Sequence, residues 1–240
     1  MVLKKYLLRT RKEPTTVIVP IITKEQTEIF ITGYDPASYK TEYFSRKIVV
    51  DGSDKVEFNC PQTPRRLKII IWSTGNKKFT IPSIQVYPSD KFNNFSEDEK
   101  PDIAFIERFA RVAGRLPARR MYTFKGANFK IQVLPVIRRD DGSEHPTPAR
   151  IHESLPLIQV SKKHFDKMTI PQRVAILGHE YSHNFINYNQ DSEHEADSNM
   201  VELYQKLGYP NIEAVYAFSN VMSDTDTNYD RVGNIINLLG

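Results

Sequence analysis

The sequence predicts an α+β protein in two parts: an antiparallel, β-sandwich-like module over residues 1–92, then a domain of mixed helices and strands over 93–240. Three observations carry this reading. From Met1 to about Tyr87 the chain is a series of short segments rich in Val, Ile, Phe, Tyr and Thr, separated by turn residues. Pro88 to Asp102, "PSDKFNNFSEDEKPD", is polar and reads as a connector. Beyond it the apolar spacing changes from two to three or four, the step from strand to helix.

Within the first part, "TVIVPII", "TEIFIT", "TEYFSRKIVV", "KVEFN", "RLKIIIW" and "FTIPSIQVY" each read as a strand. Turn signals separate them: Gly33 with Asp35-Pro36, Asp51-Gly52, Cys60-Pro61 and Thr74-Gly75-Asn76. No βαβ rhythm is present. Alternation puts Val56 and Phe58 on one face of their strand. Leu67, Ile69 and Ile71 share a face with Ile70 and Trp72 opposite, which places that strand in the middle of a sheet. After the connector, "IAFIERFARVAGRL" sets Ile103, Ile106, Phe109, Ala110 and Ala113 three or four apart, an amphipathic packing helix. "NFKIQVLPVI" and "SLPLIQVS" read as two further strands, with "RRDDGSEHPTP" as the loop between them.

Composition narrows the function classes. The 240 residues carry 33 basic and 29 acidic side chains, mixed along the chain, for a net charge of +4. The single cysteine, Cys60, excludes an internal disulfide and a cysteine-based metal site. The apolar run at the start is too short for a signal peptide, and no stretch approaches the ~18 apolar residues of a membrane span. A soluble protein, cytoplasmic or virion-associated and without a membrane partner, is therefore expected. "TPRRLK", "PARRMYTFK" and "VIRRDD" pair basic residues with nearby aromatics, but no groove-reading motif accompanies them, so nucleic acid is not an expected partner.

The chemistry concentrates in "GHEYSHNFINYNQDSEHEADSNM", Gly178 to Met200, which holds three of the six histidines. "TIPQRVAILGHEYSHNFIN" reads as a helix with Thr169 as N-cap and Pro171 in the first turn, where a missing N–H is harmless. Ile170, Val174, Leu177, Tyr181 and Phe185 form its core-facing stripe. His179 and His183, one turn apart on a neighbouring face, can present two nitrogens to one ion. A catalytic zinc takes three protein ligands, so a third is needed. Ser192 and Glu195 form a capping box that starts a second helix at Glu193 and engages Glu195. That leaves Glu193 as the favoured third ligand and His194 as its rival, with Asp197 placed to orient a ligand histidine.

His179-Glu180-Tyr181-Ser182-His183 followed by Glu193-x-x-Ala196-Asp197 resembles the gluzincin metallopeptidases, particularly the HtpX-like and ImmA/IrrE-like branches with their "HExxH … ExxA(D/N)" pattern. The resemblance covers about residues 150–240. It implies a zincin-like α+β metallopeptidase domain in which His179, His183 and Glu193 ligate Zn2+, Glu180 is general base and Asp197 fixes a histidine ligand. It also implies that "LPLIQVS" is an edge strand pairing with an extended substrate peptide. This chain departs from the pattern in its short gap between His183 and Glu193 and in having no histidine after His194. Tyr229 and Arg231 are the candidates for stabilising an oxyanion in place of that histidine.

Two functions follow as expectations. The first is a soluble zinc-dependent endopeptidase acting on a peptide or protein, with the β module docking or capturing substrate. The second is a structural or binding component of a larger assembly, for instance a phage virion, in which the peptidase-like domain is inactive or acts only locally.

Overall fold

A computed structural model describes residues 2–89, 95–152, 154–185, 192–221 and 226–239, the side chains of 39–40, 184–185, 220–221 and 226–229 excepted. The chain is mixed α and β and divides into two compact units, Met1–Phe92 with Gly208–Pro210, and Asn93–Leu207 with Asn211–Gly240.

The first unit contains β1 (Val2–Arg9), β2 (Thr15–Thr23), β3 (Thr27–Asp35), β4 (Ser38–Val50), β5 (Ser53–Cys60), β6 (Arg66–Ser73), β7 (Phe79–Thr80) and β8 (Gln85–Pro88). They form two antiparallel sheets, β1-β6-β3-β4 and β5-β2-β7, with β8 also on β2. Alternation decides the inward faces: Val17, Val19 and Ile21 of β2, Ile29 and Ile31 of β3, and Leu67, Ile69 and Ile71 of β6 have no exposed surface. Phe44 of one sheet stacks on Phe58 of the other with ring centroids 3.9 Å apart. Gly33, opposite Phe44 in register, leaves room for that ring, since a Cβ there would stand 2.3 Å from it.

The sequence reading omitted β1, whose exposed positions include Leu3 and Leu7, so its apolar residues do not segregate to one face. The single strand expected at "FTIPSIQVY" is two pieces. Pro82 lies between β7 and β8 and can donate no ladder hydrogen bond.

The second unit contains α1 (Glu99–Val112) with a 3-10 turn at Ala113–Arg115, β9 (Arg120–Tyr122), β10 (Lys130–Leu134), β11 (Ala149–Ile151), β12 (Leu157–Ser161), α2 (Lys162–Phe165), α3 (Ile170–Phe185), α4 (Glu193–Lys206), α5 (Asn211–Val221) and α6 (Asp226–Leu239). α1 starts inside the expected connector because Ser96 and Glu99 cap it reciprocally: the Ser96 N–H donates to Glu99 Oε2 at 2.9 Å, and the Glu99 N–H donates back to Ser96 Oγ at 3.3 Å. The sheet order is β11-β12-β10-β9, with β12 parallel to β10 and β11 antiparallel to β12. "LPLIQVS" is thus an inner strand, which corrects the expected edge. The outer strands are β9 and β11, and the one packed on α3 is β11, whose three residues are too short to carry a strand pattern in sequence.

α3 is the axis of this unit, packing on β11, β12, α1, α4 and α5. Its start is a second reciprocal cap between Thr169 and Gln172. Ile170, Val174, Leu177 and Tyr181 are buried as their spacing implies, while the Phe185 side chain lies outside the described residues. No helix among the described residues is long and apolar enough to cross a membrane.

Candidate metal centre

Helical spacing stacks His179 and His183 on one side of α3, and their Nε2 atoms lie 3.1 Å apart. Both residues are buried. Glu193 enters from the first turn of α4, which begins where Ser192 Oγ accepts the Glu195 N–H at 3.3 Å. Glu193 Oε2 stands 3.3 Å from His179 Nε2 and 3.8 Å from His183 Nε2. A small surface on α3 helps α4 come this close. A Cβ at Gly178 would sit 3.3 Å from Leu203 Cδ2, and the Ser182 hydroxyl folds back to donate to the Gly178 carbonyl at 2.7 Å.

These separations fit a shared cation. Four ligands at 2.0–2.1 Å in a tetrahedron are about 3.3 Å from one another. Two imidazole nitrogens and one carboxylate oxygen form a donor set suited to zinc and its first-row neighbours. His194, the rival ligand, is exposed, with its Nδ1 3.3 Å from Asn234 Nδ2, and lies outside this group.

Behind the three donors is a charged support. Asp197 Oδ1 is 2.9 Å from His179 Nδ1, at ion-pair distance but without the alignment of a full hydrogen bond. Arg231 of α6 donates from Nε to Asp197 Oδ2 and from Nη2 to Asp197 Oδ1, both at 2.9 Å, and its Nη2 is 2.7 Å from Glu193 Oε2. One guanidinium therefore braces the candidate ligand and the carboxylate behind its neighbour. Phe218 of α5 packs edge-on against the His179 ring at 5.5 Å.

Electrostatics follow from this crowding. Burial, the largest single influence, pushes the His179 imidazolium down. Contacts with Asp197 and Glu193, and the charge of Glu180, outweigh it and raise His179 to about 9. The His179 contact, helped by the His179, Arg231 and His183 charges and opposed by burial, lowers Glu193 to about 2. Burial pushes Asp197 up, but His179 and Arg231 more than reverse it, so its carboxyl lies below the usual range. His183 is pushed down by burial and by its charged neighbour His179. Without metal, a proton on His179 balances the carboxylates, and a divalent cation would compete for that place. His183 Nδ1 is buried and has no hydrogen-bond partner among the described residues.

Glu180, also buried, points to the same cleft. Burial pushes its carboxyl up, and Glu193 adds to this, while His179 and a hydrogen bond from the Ile151 N–H pull it down. The cleft has a volume of ≈ 390 Å³ and is bounded by the segment His145–Ile151, with Ile176 and Phe218 as apolar walls. Sequence reading missed this wall, β11 and Phe218. It named Arg231 for an oxyanion, whereas the structure engages its Nε and Nη2 with Asp197 and Glu193. Tyr229 falls on α6, with its side chain outside the described residues.

No family model matches the chain, and no curated protein matches it. Among solved structures, the chain is similar to TmCBM61 in complex with β-1,4-galactotriose, at 12% identity and a TM-score of 0.29, over 36% of this chain and 62% of that one.

Proposed function

We propose that the C-terminal unit is a zincin-like, zinc-dependent endopeptidase that hydrolyses peptide bonds with Glu180 as general base. The observation that carries this reading is the convergence of His179 Nε2, His183 Nε2 and Glu193 Oε2 beside a buried glutamate in an open cleft. When bound, zinc would polarise a scissile carbonyl and acidify water within its reach. The chain's own groups supply the rest. Glu180, its carboxyl raised by burial, takes a proton from the attacking water and returns it to the leaving amine. Asp197 holds the His179 ring so that Nε2 faces the cleft, and Arg231 restrains Asp197 and Glu193. Among the described strands none pairs with the outer side of β11, beside Glu180, and an extended peptide can add there as a strand where it displaces the Ile151 N–H contact to Glu180 and the Thr147 contact to the Ala149 carbonyl.

Two observations favour a second reading, a structural or binding component with an inactive site. Two nitrogens of Arg231 are already occupied by carboxylates, and no histidine follows His194. A peptide-library cleavage assay on wild type and Glu180→Gln, each with measured zinc, separates the two. The peptidase reading expects zinc retained in both and cleavage lower by about 10² to 10⁴ in the variant. Zinc-loaded wild type that cleaves nothing beyond what the variant cleaves would select the second reading.

A further inference from the structure

A second cavity, of ≈ 590 Å³, lies in the same unit and shares no lining residue with the metal cleft. Its size falls in the range of small-molecule sites, about 300–1,000 Å³. The floor is apolar. Buried Phe105 and Phe109 of α1 are joined by half-buried Tyr122 and Phe124; Phe105 and Phe124 stack at 5.8 Å, and Phe109 meets Tyr122 edge-on at 5.8 Å.

Three exposed cations line the same cavity: Arg108 of α1, Arg115 of the 3-10 turn that continues it, and Lys125 beyond β9. No acidic side chain among the described residues lines it. The Arg108 guanidinium lies over the Phe124 ring, 5.5 Å from its centroid, so the charge is held at the aromatic floor where a ligand anion would meet it. The C-terminal end of α1 nearby contributes only about half a negative charge. Three full cations outweigh it. Ordinary solvated cations would not need to gather around half-exposed aromatics, and part of the basic-aromatic stretch "PARRMYTFK" supplies one side of this wall.

We propose that this cavity binds a small amphiphilic organic anion, its acyl or aromatic body on the phenylalanine floor and its anionic group against Arg108, Arg115 and Lys125. The site is independent of the metal centre and of the proposed peptidase activity. The test is an NMR titration of the isotope-labelled full chain with octanoate, 1-naphthoate and, as a neutral match, octanol. The expected result is saturable shifts centred on the Phe124 and Lys125 amides with a dissociation constant below about 1 mM for at least one anion, and binding at least about tenfold weaker for octanol. Octanoate alone binding assigns an acyl body, and 1-naphthoate alone an aromatic one. The double variant Arg108→Gln with Lys125→Gln changes only exposed side chains; it should lose about tenfold in anion affinity and leave octanol unchanged. The proposal is overturned if octanol binds as tightly as the anions, if the double variant keeps wild-type anion affinity, or if no anion shifts these amides.

Discussion

The two units bury different chemistry. Among the described residues, the buried polar groups of the N-terminal unit are hydroxyls: Thr10, Thr15, Thr23, Thr27, Thr41, Thr63 and Ser73. The acidic, arginine and histidine residues that are buried as a whole all lie in the C-terminal unit: Asp102, Arg173, His179, Glu180, His183, Asp197 and Glu213, whereas Arg46 of the β module is only part-buried, with its Nε and Nη2 covered. Hydroxyls can satisfy themselves on nearby carbonyls, as Thr63 does by donating to Glu13 O at 2.7 Å. Ionisable groups need dedicated partners, because an unpaired buried charge is far more costly than an unpaired hydroxyl. The difference teaches that the C-terminal unit bears most of this cost, and α3 shows where it goes.

Three of the buried charges clamp α3. Glu213 accepts hydrogen bonds from Thr169 and Gln172 at its start, both at 3.0 Å. Arg173 donates to the Phe165 and Ala110 carbonyls at 2.8 and 3.0 Å, fastening the helix to the C-terminal ends of α2 and α1. Asp102 accepts from the Tyr181 hydroxyl at 3.1 Å while also holding Asn128. Tyr181 sits between the two histidines in sequence, so this last clamp sets the rotation at which they meet Glu193. The remaining four, His179, Glu180, His183 and Asp197, are the candidate site itself.

The contrast can be broken at three depths. Arg173→Met should cost the most, about 3 kcal/mol, because it removes two buried charge-assisted hydrogen bonds, to the Phe165 and Ala110 carbonyls; chemical denaturation would read this as a loss of stability. A neutral result would mean that the clamp is idle. Arg231→Gln should leave the fold intact but weaken metal binding about 10- to 100-fold, since Asp197 and Glu193 lose their common brace. Competition with a chromophoric chelator measures this, and unchanged affinity would remove Arg231 from the support. Smallest of all, Thr63→Val should cost about 1 kcal/mol and leave metal affinity untouched. A loss of metal there would undo the separation of the two units' roles.

What the sequence made legible was local. The Thr169 and Ser192 caps, the stripe from Ile170 to Tyr181 and the histidine pair are read within one or two turns, and each has the geometry its spacing implies. Properties set by distant partners were not legible. Strand order is one: "LPLIQVS" carries the buried pattern of an inner strand, yet its place beside β11 depends on a three-residue strand with no periodicity. The role of Arg231 is another, because its carboxylates are supplied by α4, 34 residues away from it in the case of Asp197. α5 and α6 were not anticipated. α6 in particular begins "DTNYDRVGN", whose Asn and Gly residues are poor helix formers, and packing on α4 and α5 overrides that propensity.

The central claim is that α3 and α4 hold a metal ion between His179, His183 and Glu193. Elemental analysis of the purified chain, exchanged against zinc and freed of excess, tests it most directly when run beside His183→Ala. The account predicts close to one zinc per chain in wild type and little in the variant, because two remaining protein ligands hold the ion poorly. Equal zinc in both proteins, or none in wild type, would contradict it.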